Sequence, residues 1–349
     1  MSTGTSCGIA CPVLSDVSRL VTVEHDDPEA DVLVVAGMWP YAGDPTYGIF
    51  VKRQVDSLTE AGLHCDVLFV RGVESPLAYA VAAGRLLRLS LGRRKRYRLV
   101  HGHGGETLPA VLLFWRGRRV ISFCGSDLLR RSGAGGAVKC VALRQLSRLA
   151  SATITKSREM EAALPRTVRR RNIVLPNGVD RELFRPMDRA RARRDLGWRS
   201  DERVALYAAD PKVARKRFPL AVAACEAAAQ AGVPVRLHVA ARTPPNLMPV
   251  VMNACDCLLL TSALEGSPNV VKEAVTVGLP VVATPAGDVR EILEPVHPSY
   301  ICDAEPKALG NALVACMRNG GRSDGRERSE WLDERRIARR LLELYDRLG

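Results

Sequence analysis

"CDCLLLTSALEGSPNVVKEAVTVGLPVVATP", residues 255–285, reads as a strand, a loop, a helix and a second strand. "CDCLLLTS" (255–262) is a short apolar run, and Gly266, Ser267, Pro268 and Asn269 are loop formers. "VVKEAVTVG" then has helical spacing closed by Gly278, and "LPVVATP" (279–285) is apolar again. Such a unit predicts two parallel strands joined by a crossover helix. Pro268 and Asn269 fall where the helix begins, and proline is tolerated in a first turn because its missing N–H has no partner there anyway. The free N–H groups of that end attract anions, typically phosphate. Glu273, about a turn inside, would repel a phosphate but can accept hydrogen bonds from the hydroxyls of a ribose. Glu265, on the loop, can do the same for a sugar ring. For an isolated pair of acids the plainer reading, a solvated helix residue and a loop residue with no special role, is the better one, and the surroundings have to change those odds.

The alternation continues outward in both directions. Strands are expected at 31–37, 64–70, 98–104, 119–125, 151–157 and 172–180, with helices at 47–62, 76–91, 106–116 and 138–150 between the earlier ones. The polar segment 181–203 lacks a convincing strand and serves as a linker. Strands then resume at 203–210, 235–241, 255–262, 279–285 and 300–304, with helices at 216–231 and 305–319 and a long amphipathic helix in the tail. The fold class expected is α/β, with two Rossmann-like open parallel-sheet domains facing a cleft. The domains run 31–185 and 186–330, after a flexible leader at 1–30 and before a C-terminal helix at 331–349 that is expected to pack back on the N-terminal domain. A chain of 349 residues is long enough for two cores.

Composition narrows the class. Apolar residues make up 47 % and charged residues 26 %, ordinary for a globular protein, and no apolar run reaches the roughly 20 residues that cross a bilayer. The leader lacks the basic start and apolar core of a signal peptide. Ten cysteines form no C-x-x-C pair, and most sit in apolar segments, so reduced buried thiols in a cytoplasmic protein are expected. The net charge of +13 fits attraction to phosphorylated substrates or an anionic membrane surface, and equally a bland excess of arginine on solvated helices. The arginine clusters at 92–98, 166–171 and 189–196 lack interleaved aromatics, and no nucleic-acid partner is expected. "GHGGET" (102–107) fails the dinucleotide fingerprint because Thr107 stands where glycine is needed. No D-x-D triplet occurs, and neither a metal nor a resident cofactor is expected.

Several of these segments together resemble the retaining GT-B glycosyltransferases of family four, the glycosyl transferases group 1. The signature is two glutamates separated by seven residues, here Glu265-GSPNVVK-Glu273, followed by "GLPVVAT" (278–284). "PTYGIFVKRQVDSLTEAG" (45–62), "VLPNGVDRELFRP" (174–186), "RKRFPLAVAAC" (215–225) and "GDVREIL" (287–293) match further stretches in order. The resemblance implies a nucleoside diphosphate sugar as donor. Glu273 would hold the ribose, Glu265 the sugar hydroxyls, and the backbone of Ser267, Pro268, Asn269, Val270 and Val271 the sugar and diphosphate. Gly48 would lie near the phosphate. Lys216 and Lys212 would neutralise the departing diphosphate, with Glu265 and Lys216 carrying the catalysis. The chain departs from the family in reading Asp210-Pro211-Lys212 where Gly-Arg is frequent, and in carrying Cys124 in place of a histidine that lies beside the donor sugar. Asp288 also stands where glycine is frequent. His103, Cys124 and Asp127 are the acceptor-side candidates. The acceptor would be a sugar, a lipid-linked glycan or a small molecule, as in polysaccharide or glycoconjugate assembly. The basic surface would allow peripheral contact with the inner face of a membrane. A nucleotide-sugar epimerase or phosphorylase on the same fold, and a non-catalytic nucleotide-sugar binder, are the rivals.

Overall fold

The computed structural model describes residues 19–25, 27–92, 97–129 and 134–349. Most of the expected leader (1–18), with Cys7 and Cys11, and residues 93–96 of the basic run at 92–98 lie outside them.

The N-terminal sheet contains β1 (Val21–His25), β2 (Val32–Ala36), β3 (Cys65–Val70), β4 (Leu99–His103), β5 (Arg118–Ser122), β6 (Ala152–Thr155) and β7 (Asn172–Val174). Their order is β1-β3-β2-β4-β5-β6-β7, parallel throughout except for β1, which runs antiparallel along the β3 edge. The C-terminal sheet contains β8 (Val204–Tyr207), β9 (Arg236–Val239), β10 (Cys257–Leu260), β11 (Val281–Ala283) and β12 (Ser299–Ile301), in the all-parallel order β12-β11-β10-β8-β9.

Both sheets are covered on two faces, which is why their strands read as unbroken apolar runs. Side chains alternate between the layers with period two. Val32, Val34 and Ala36 enter the core beneath helix α1 (Ile49–Glu60), whereas Leu33 and Val35 face α2 (Leu77–Leu91). The next long helix is α3 (Ala134–Leu146). In the second domain Ala205 and Tyr207 pack beneath α4 (Phe218–Gln230) and α6 (Pro306–Asn319). Val204 and Leu206 share a core with α5 (Asn269–Thr276).

The last helix, α7 (Glu334–Leu348), belongs by packing to the first domain. Asp333 caps it by accepting from the Arg335 N–H. Ile337, Ala338, Leu341, Leu344 and Tyr345 form its buried stripe against the N-terminal sheet and α1. The Tyr345 hydroxyl lies 2.5 Å from His101 Nδ1 on β4, and Ser122 Oγ lies 2.8 Å from the other ring nitrogen. Burial pushes the His101 imidazole down to about 3, so it is neutral and structural.

Four segments differ from the sequence reading. Val21–His25 of the leader is an edge strand, registered against β3 with a bulge near its end. Residues 106–116 form only a 3-10 turn and one short helix, Leu108–Val111. The strand expected at 172–180 pairs only through Val174, after which the chain turns toward α7. Within the linker, Arg189–Asp195 is helical, capped by the Asp188 side chain. That helix docks through Arg193, which is 5 % exposed and bonds Asp256 at 2.8 Å and the Ala254 carbonyl at 2.9 Å. Arg193 is the linker's buried arginine, whereas Arg185, Arg191, Arg194 and Arg199 are exposed.

Among the described residues no helix is long and apolar enough to cross a membrane. All eight described cysteines are free thiols, five of them buried.

Candidate active site

The carboxyl ends of β4, β5 and β6 face those of β8 and β10 across a cavity of about 1180 Å³ between the domains. This is where ligands bind in open parallel sheets, because helix N-termini and loops converge there.

On the C-terminal side the turn carrying Arg215 and Lys216 is fixed from both neighbouring strands. Thr261 Oγ1 donates to the Lys216 carbonyl at 2.8 Å, and the Tyr207 hydroxyl donates to it at 3.2 Å. The Ala263 N–H donates to the Arg215 carbonyl at 2.8 Å. Arg217, which ends the turn, is held in the left-handed region at φ 52°, an uncommon conformation for a residue with a side chain. Lys216 Nζ then lies 2.5 Å from Glu265 Oε1, and Arg215 Nη1 lies 3.3 Å from Glu265 Oε2. Glu265 is thus gripped at both oxygens, with its side chain only 10 % exposed.

The loop after Glu265 runs tight against the first domain. A Cβ on Gly266 would stand 2.8 Å from Gly125 Cα and 2.9 Å from the Cys124 carbonyl oxygen, so only glycine lets the two domains meet here. Helix α5 begins at Asn269 with no side-chain cap, leaving its first N–H groups toward the cavity. Asn269 Oδ1 accepts from Asn177 Nδ2 at 3.1 Å, a second link between the domains. Ser267 is tied from beneath: Lys272 Nζ donates to its hydroxyl at 3.0 Å, and the hydroxyl donates to Asp288 Oδ2 at 2.6 Å. Burial pushes the Lys272 ammonium down to about 8 and the Asp288 carboxyl up to about 6.

On the N-terminal side Asp127 accepts from the backbone N–H groups of Gly105 (2.7 Å), Gly125 (2.8 Å) and Cys124 (2.9 Å). Its carboxylate locks two loops together. Burial pushes the Cys124 thiol up to about 12, which leaves it protonated at neutral pH and unfit as a nucleophile. His103 is 1 % exposed, and burial, then His101 and Lys156, hold its imidazole well below the usual range.

Of the residues singled out from sequence, Glu265, Lys216, Ser267, Pro268, Asn269, Val270, His103, Cys124 and Asp127 line this one cavity. Gly48, Lys212, Val271 and Glu273 stand outside its lining. Gly48 caps α1 at φ 66°, where a Cβ would strike the Met38 carbonyl carbon at 2.3 Å; its neighbours Tyr47 and Phe50 reach the cavity instead. Lys212 is exposed, and the second cation on Glu265 is Arg215. Glu273 pairs with Arg53 of α1 at 3.0 Å. Sequence reading passed over Arg53, Lys156, Asn177, Arg215 and Lys272. Lys156 and Arg215 had a legible signal, one at the end of a strand and the other beside Lys216.

Residues 203–319 match the family model described as Glycosyl transferases group 1. This stretch is similar to that family. The match covers β8 to α6, and so includes both glutamates and Lys216. No curated protein matches the chain in sequence. Solved structures show the GT-B fold over nearly the whole length. A sucrose-phosphate synthase from Thermosynechococcus elongatus superposes with a TM-score of 0.73 at 18 % identity, over 91 % of this chain and 99 % of that one. Anabaena HepE in complex with UDP and glucose gives 0.66 at 18 % identity, with the same coverage. The catalytic domain of starch synthase IV from Arabidopsis thaliana, bound to ADP and acarbose, gives 0.66 at 12 % identity, again over 91 % and 99 %. The stretch similar to that family is therefore paired with a first domain that completes the GT-B architecture.

Proposed function

We propose that this protein is a metal-independent, retaining glycosyltransferase of family four that moves a sugar from a nucleoside diphosphate sugar to an acceptor. The observation that carries this reading is the convergence of Lys216, Arg215 and the uncapped start of α5 around Glu265 in one interdomain cavity. Departure of a nucleoside diphosphate builds negative charge on phosphate oxygens, and preorganised cations and helix N–H groups stabilise that charge without reorganising. Lys216 and Arg215 take the diphosphate, Glu265 the hydroxyls of the transferred sugar, and Glu273 the ribose through the oxygen that Arg53 leaves free. Among the described residues no side chain is placed as an obvious covalent nucleophile, so displacement occurs on one face, with the departing phosphate oxygen accepting the acceptor's proton. HepE, whose structures hold UDP, UDP with glucose, or UDP-glucose, lends weight to a nucleotide-sugar donor.

The acceptor side favours a molecule with an apolar portion. Tyr79, Ala80, Ala83, Pro109, Ala110 and Leu146 form one wall of the cavity. Leu77, Trp115, Val138 and Val141, one or two positions from lining residues, are exposed. With the basic surface, this supports a lipid-linked glycan acceptor at the cytoplasmic face of a membrane, in polysaccharide or glycoconjugate biosynthesis.

Thermal melts with UDP, GDP, ADP and TDP test the core of the reading. One nucleotide at about 100 times its Kd should stabilise the chain by about 2.7 kcal/mol, a shift of several degrees. If none of the four moves the Tm, the donor assignment is wrong.

A further inference from the structure

Every acid that lines the cavity has a partner in the protein. Glu265 is held by Lys216 and Arg215, Glu106 by Lys139 at 2.8 Å, and Asp127 by three backbone N–H groups. The cation Lys156 does not. It is 3 % exposed, follows the carboxyl end of β6, and lines the cavity beside Cys124 and Asp127. Among the described residues no hydrogen bond or ion pair reaches its ammonium, and burial lowers its proton affinity. His103, on the same floor, keeps Nδ1 buried without a partner.

The Asp127 carboxylate nearby favours the charge but makes no direct bond to it. A buried ammonium with no hydrogen-bond acceptor is costly, and proteins retain such groups where something else answers them. A sugar hydroxyl would supply one hydrogen bond and no directly bonded counter-charge. An oxyanion would supply both, and the neutral imidazole of His103 has a nitrogen to offer beside it. We propose that Lys156 and His103 form a subsite for a carboxylate or phosphate carried by one of the two sugars in the reaction. The inference rests on the nucleotide-sugar reading and specifies its substrate class. The ends of three adjacent strands (β4, β5 and β6) put the subsite on the first domain's side of the cavity.

Isothermal titration of wild type, Lys156→Met and Lys156→Arg tests this. UDP-glucose and UDP-glucuronate probe an anionic donor. Glucose, glucuronate and glucose 6-phosphate, each added to UDP-saturated protein, probe an anionic acceptor. The wild type should bind one anionic sugar at least tenfold tighter than its neutral counterpart, and the arm in which this occurs identifies the bearer. Lys156→Met should lose that preference, Lys156→Arg should keep part of it, and both should bind UDP as wild type does. Because methionine removes a buried charge that no group hydrogen-bonds, at nearly constant shape, the Lys156→Met Tm should be unchanged or higher; a purely structural lysine would lower it. Binding of UDP with no anionic preference in the wild type, or a preference that survives in Lys156→Met, overturns the inference. Failure of every nucleoside diphosphate to bind removes the transfer reading, and this subsite with it.

Discussion

Arg53 Nη1 donates to Glu273 Oε1 at 3.0 Å, joining helices from the two domains across 220 positions of sequence. Both side chains are largely buried, and the Arg53 guanidinium also lies over the Phe184 ring, 5.2 Å from its centroid. Glu273 is thereby held in one orientation, and one of its oxygens stays free of Arg53 for the ribose proposed above. Glu273→Gln keeps the shape but loses charge-assisted acceptance, which is worth roughly 1.5–3 kcal/mol per hydrogen bond. UDP affinity should fall roughly tenfold or more by that measure. Arg53→Met should weaken UDP by less than Glu273→Gln does. Isothermal titration decides between them; a larger loss in Arg53→Met would show that Arg53, rather than Glu273, meets the nucleotide.

Lys216 and Arg215 divide Glu265 between them, one oxygen each. Lysine is the more buried of the two, so it is the less screened by water. Lys216→Met should lower kcat by roughly 100-fold or more, the range found when one preorganised charge-stabilising donor is removed. Arg215→Met, half-exposed, should cost less. Glu265→Gln should impair kcat more than UDP affinity if, as proposed, its partner is the sugar. Steady-state kinetics beside UDP titration checks the split, and equal losses in kcat and UDP affinity would place Glu265 on the nucleotide instead.

The chain Lys272–Ser267–Asp288 predicts a bell-shaped activity profile. Ser267 is held when Asp288 is ionised and Lys272 is protonated. The Asp288 carboxyl is pushed up to about 6, so kcat/KM should rise as pH passes that value. The Lys272 ammonium is pushed down to about 8, so activity should decline beyond it. Asp288→Asn should flatten the acid limb and Lys272→Met the alkaline limb. For stability the sign differs. A raised carboxyl binds protons in the folded state, so its contribution falls as pH climbs from about 4 to about 6. A lowered ammonium sheds protons on folding, so its contribution improves from about 8 to about 10.5. Melts across pH should show both slopes in the wild type and lose each in the matching variant.

The fold was legible because its strands are buried on both faces, so that "DVLVVAG" and "CDCLLLTS" stand out from the helices on either side. β1 was lost because a five-residue edge strand such as "VTVEH" needs the register of β3 to exist. The cavity residues on strand ends and on the α5 loop were legible from their place in the alternating units. Arg53 was not: it lies on a helix with ordinary amphipathic spacing, and only the assembled domains bring it to Glu273. Lys272 was passed over beside Glu273, yet it is fully buried, because α5 rotates it under Ser267 toward Asp288. Contacts made between segments distant in sequence leave no local pattern to read.

Gly266 offers the sharpest separation of stability from catalysis. Its missing Cβ is required by Gly125 and Cys124 of the facing domain, and Gly287 closes from the other side, where a Cβ would meet the Gly266 carbonyl oxygen at 2.9 Å. Two of the neighbours are backbone, and the third is the sulfur of the buried Met160, which such a Cβ would approach to 3.0 Å at the edge of a first-domain core. Gly266→Ala must therefore push the domains apart by some tenths of an ångström or displace the Glu265 carboxylate from Lys216. A misplacement of about 1 Å near reacting atoms can cost roughly 100-fold in rate. The expected outcome is a loss of kcat of that order with UDP still bound. The Tm should fall only a few degrees, in line with roughly 1 kcal/mol of overpacking strain. Activity within threefold of wild type would mean that the loop has more freedom than the packed glycines allow, and that the cleft works in a more open arrangement.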